Sequence, residues 1–66
     1  MEEIDIWRSA EVLRKRFGED AAIMAAMRAD QLLDEGALTG HREMLRVVAA
    51  INELDRAKPN SNEATN

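Results

Sequence analysis

Residues 19–35, EDAAIMAAMRADQLLDE, constrain the fold more than any other stretch of the chain. Wound into a helix at about 100° per residue, they place Ala21, Ala22, Ala25, Ala26, Ala29, Leu32 and Leu33 within one half of the circumference. Glu19, Asp20, Arg28, Asp30, Gln31, Asp34 and Glu35 occupy the other half. Alanine has the highest helix propensity, and Ile23 is the only β-branched residue in the stretch. A face this small lets a second helix approach to the short end of the usual ~8–10 Å interaxial distance. Ile23, Met24 and Met27 break the polar half, so the segment is apolar nearly all round and calls for cover on more than one side. It is therefore expected to lie at the centre of the molecule.

Helical patterns flank this segment on both sides. From residue 5 to residue 17, Ile6, Ala10, Leu13 and Phe17 recur at intervals of three and four, with Trp7 at the edge of the stripe. Asp5 is the expected N-cap, and the acidic start suits the positive end of the helix dipole. Gly18 fits the left-handed position that ends a helix, leaving only a tight connection to the segment at 19–35 and predicting an αα-hairpin. Gly36 ends the second helix in the same way. Thr39 is the expected N-cap of a third helix over about 40–57, with an alternative start near Ala37. There Met44, Val47, Val48, Ile51 and Leu54 form one inward stripe, while Arg42, Arg46, Glu53 and Arg56 point away. Pro59 stops that helix, and the tail at 59–66 is expected to be disordered. The predicted architecture is all-α, a three-helix bundle over residues 1–58.

Sixty-six residues allow one domain with a marginal core, the kind that needs excellent packing or self-association. Zero cysteines remove disulfides, thiolate zinc sites and cysteine nucleophiles, and fit a reducing cytoplasm. The start, MEEIDIW, has neither a basic nor an apolar leader segment, and no run approaches the ~20 apolar residues that span a bilayer. A net charge of -4 argues against non-specific binding to nucleic acid or anionic membrane.

Nothing in the sequence points to catalysis or to a cofactor. His41 is the only histidine, and H-x-E with Glu43 puts the two on different sides of a helix. Ser9 and Ser61 lack a nucleophile context. The three glycines form no phosphate-binding loop.

Two binding readings remain. Ile23, Met24 and Met27, with Val12 and Leu45 as further surplus apolar residues, make a candidate interface, most simply between two copies in a homodimer. The alternative is a helix-turn-helix that presents Thr39, His41, Arg42 and Arg46 to DNA; the neighbouring Asp34, Glu35 and Glu43 oppose it.

The residues resemble a group of short bacterial proteins, mostly proteobacterial, that form a helical domain of unknown function. The shared pattern is carried by Trp7, Ala10 and Leu13, then Gly18 and Ala21. It continues through Arg28, Ala29 and Leu32, the turn glycines Gly36 and Gly40, and Ile51 with Leu54. Met44 stands where the pattern has tryptophan, and Ala37 where it has an acidic residue. The resemblance implies a small helical domain and carries no catalytic residues.

Overall fold

The computed structural model describes residues 2–57; the expected disordered tail at 59–66 lies outside them. Among the described residues the chain is all α-helical, with no strand. Helix α1 is Glu3–Phe17, a 3-10 turn follows at Gly18–Asp20, α2 is Ala21–Asp34 and α3 is Leu38–Ala57. Every residue from Glu3 to Asp34 is helical, so the first half of the chain is a single helical path bent at Gly18.

The ends of the helices correct several sequence expectations. Helix α1 starts two residues before Asp5, because the carbonyl of Glu2 already accepts the amides of Asp5 and Ile6 at 3.0 and 3.1 Å. Asp5 therefore sits in the first turn, where its charge still favours the helix. Gly18 ends α1 as expected, at φ 58, with its amide donating to the carbonyl of Arg14. Gly36, at φ 78, turns the chain out of α2, and the amide of Ala37 donates to the carbonyl of Leu32 at 2.9 Å. A side chain at either glycine would be strained by its left-handed backbone.

Helix α3 starts earlier than the Thr39 cap predicted. The carbonyl of Ala37 accepts the amide of His41 at 2.9 Å, which places Thr39 and Gly40 inside the first turn. Gly40 is thus a packing residue. A Cβ there would meet Leu32 Cδ1 at 3.4 Å, so the α2 side chain rests almost on the α3 backbone.

The core draws on every helix: Ile6 and Ala10 from α1, Ala21 and Ala25 from α2, and Val47, Ala50 and Ile51 from α3. Trp7, Leu13, Met44, Val48 and Leu54 pack around it, with Trp7 half-buried at the edge as its position in the stripe predicts. The largest fully buried side chains, Ile51 and Val47, belong to α3. Helix α3 also has the most extensive contacts, first with α2 and then with α1, which touch each other least. The expected centre of the molecule therefore moves from the alanine-rich segment to α3. The inner stripe of α3 carries the bulk that fills a core, whereas the alanines of α2 only line it.

Specific contacts fix the directions of the helices. Ion pairs join Arg46 to Glu3 at 2.7 Å and Arg14 to Asp55 at 3.0 Å, so α1 and α3 run parallel. His41 lies against Ala29 and Gly40 against Leu32, so α2 runs antiparallel to α3. Two further expectations change. Phe17, expected on the inner stripe, is 36% exposed at the last position of α1, where the Arg16 guanidinium lies 5.7 Å from its ring centroid. Leu33, expected on the alanine face, is also exposed, because it lies at the margin of that face rather than on its midline.

Candidate functional site

Helix α2 has two unlike sides. Ala21, Ala25 and Ala29 are buried and form the side turned toward the core. About 180° around the helix from them lie Ile23, 59% exposed, and Met27, 60% exposed, with Met24 at 37% between that side and the core. The other helices of the same chain therefore leave the α2 patch open. Asp20, Asp30 and Asp34 share its side and are exposed as well. The patch is one turn of apolar surface set between carboxylates.

Of the other proposed interface residues, Leu45 is exposed on the outer side of α3 and Val12 on the outer side of α1. Val12 stands between Arg8 and Arg16, one turn away on either side, and joins no apolar neighbour on its own helix. Leu45 does have company: Ala49 is exposed one turn later, and Leu38, seven residues earlier, is exposed on the same side. Leu38 lies just outside a helix that begins at about residue 40, so the sequence pattern does not single it out, whereas α3 in fact begins with it. The spacing 38–45–49 signals it once α3 is extended to its true start.

Of the four residues of the DNA-binding alternative, Thr39, Arg42 and Arg46 are exposed and, spaced by three and four, share one side of α3, while His41 turns away from them. His41 is part-buried and donates from Nδ1 to the carbonyl oxygen of Ala29 at 2.8 Å. Arg46 is held by Glu3, while Thr39 and Arg42 are exposed.

A groove of about 290 Å³ runs between α1 and α3, lined by Glu3, Trp7, Arg46, Ala49 and Glu53 among others. Its charged walls are already paired with each other or with neighbours: Arg46 with Glu3, and Glu53 with Arg56 at 3.2 Å. Trp7 contributes a half-buried side chain to its lining, and no lining residue has a nucleophile–base arrangement. Among the described residues, no group of three or more histidine or carboxylate side chains is placed to hold a metal ion. No helix among them is long and apolar enough to cross a membrane.

Comparison with protein-family models, with curated proteins and with solved structures gives no match for this chain.

Proposed function

We propose that this chain is a small protein-interaction module, non-catalytic and working in the cytoplasm, that associates with further copies of itself. In this reading the helices form a three-helix bundle, with α1 and α2 as a hairpin laid against α3. The observation that carries it is the exposure of Ile23 and Met27, at 59% and 60%, on the side of α2 turned from the core. Contiguous exposed apolar groups on a small protein mark contact surfaces. Methionine, with its flexible unbranched chain, adapts to the partner that covers it. A domain of this size also gains stability when association removes more apolar surface from water. The lack of cysteine agrees with a reducing compartment. DNA binding has less support, since two of its four residues, His41 and Arg46, are already engaged within the chain.

Sedimentation velocity tests this directly. The wild-type chain is expected to sediment as a dimer or larger species, and Met27→Glu as a monomer with unchanged helix content. A wild-type chain that sediments as a monomer at every concentration tried would refute the proposal.

A further inference from the structure

The outer sides of α2 and α3 carry seams of alternating three- and four-residue spacing, the spacing by which one helix packs along another. On α2 the seam is Asp20, Ile23, Met27, Asp30 and Asp34; on α3 it is Leu38, Arg42, Leu45, Ala49, Asn52 and Arg56. All eleven residues are exposed. Each seam is apolar in part, and their charges are opposite: three acids and no base on α2, two bases and no acid on α3.

We infer that the chain assembles head to tail, with the outer side of α2 in one copy docked on the outer side of α3 in the next. This rests on the self-association proposed above and names the surface that α2 engages. Pairing α2 with its own copy is disfavoured by like charge. An antiparallel pair centred on Met27 sets Asp20 opposite Asp34 twice, and a parallel pair sets each aspartate against itself. Docking α2 antiparallel on α3 relieves this. With Met27 over Leu45, Ile23 falls over Ala49 and Asp30 over Arg42, which gives two apolar pairs flanked by one complementary charge pair, while Asp20 falls over Asn52 and Asp34 over Leu38 at the two ends. Alanine at 49 leaves room for the isoleucine.

A single twofold dimer does not satisfy both seams face to face. Within one chain α2 and α3 meet through their inner sides, so their outer sides point apart. The contact is therefore heterologous, and it either closes into a ring or grows as a chain.

A mixing experiment separates this arrangement from others. Met27→Glu blocks the α2 seam and Leu45→Glu the α3 seam, so each variant alone is expected to be monomeric by sedimentation velocity. An equimolar mixture is expected to give a species of two chains and nothing larger, because one good α2 seam and one good α3 seam remain. If wild type assembles while Leu45→Glu assembles equally well, or while the mixture stays monomeric, the head-to-tail contact is overturned and self-association stands. If wild type is monomeric, the self-association reading itself fails. Should either glutamate variant lose its circular-dichroism helix signal, Asp30→Arg and Arg42→Asp serve instead. Each alone is expected to assemble less than wild type, and their mixture to recover assembly; no recovery overturns the inference.

Discussion

Helix α3 holds its two neighbours by different means. Against α2 the junction is made of small residues: Ala21, Ala25 and Ala29 are buried on one side, and Gly40 lies under Leu32 on the other. His41 crosses it with a hydrogen bond to the carbonyl of Ala29. Against α1 the junction is made of larger groups, Ile6 and Trp7, with ion pairs Arg46–Glu3 and Arg14–Asp55 near its two ends and a groove left between the helices. A close, dry junction tolerates almost no change in volume. A looser one, bridged by exposed charges, tolerates a good deal. The closeness on one side also explains the surplus on the other: α2 spends its small residues inward and is left with Ile23 and Met27 facing out.

Substitutions graded by size sharpen this contrast. The largest loss is expected from Ile51→Ala, which empties a fully buried site that α3 contributes to the shared core; urea unfolding should show roughly 2–5 kcal/mol. Ala25→Leu comes next. It adds bulk where the side chain is 1% exposed, and should cost about 1–3 kcal/mol. Equal stability for Ala25→Leu would mean that α2 and α3 are not closely packed. His41→Ala removes the cross-helix hydrogen bond and should cost about 0.5–1.5 kcal/mol by the same measurement. Smallest of all is Arg46→Ala on the α1 side, where both partners of the ion pair are more than half exposed. It should cost about 0–1 kcal/mol, with the difference shrinking further in added salt.

Much of this was legible in the sequence, because helical spacing fixes which residues share a side. Val47, Ile51, Ala10 and the alanines of α2 all fall on the inward stripes that the spacing predicts. Gly18 and Gly36 mark the ends of α1 and α2, since each takes a left-handed backbone that other residues resist. Spacing says nothing about which helix faces which. It therefore could not show that α3, rather than α2, is shared by both neighbours. Nor could it show that Gly40 is a contact residue inside α3, since glycine serves close approach as readily as it ends a helix. Phe17 has the right spacing for the core and is still partly exposed, because the chain bends away immediately after it. The outward patch at Ile23, Met24 and Met27 was visible as a surplus of apolar residues. That the described helices leave the patch uncovered required the packing of all of them.

In the proposed function, the outer side of α2 is a contact surface for another copy and contributes nothing to the fold of a single chain. The most direct measurement is the thermal midpoint of unfolding as a function of protein concentration. Association of folded chains makes that midpoint rise with concentration for wild type, and Met27→Glu should hold a constant midpoint equal to that of dilute wild type. A wild-type midpoint that stays the same over a thousandfold range of about μM to mM concentration, or a Met27→Glu midpoint well below it at every concentration, would contradict the account.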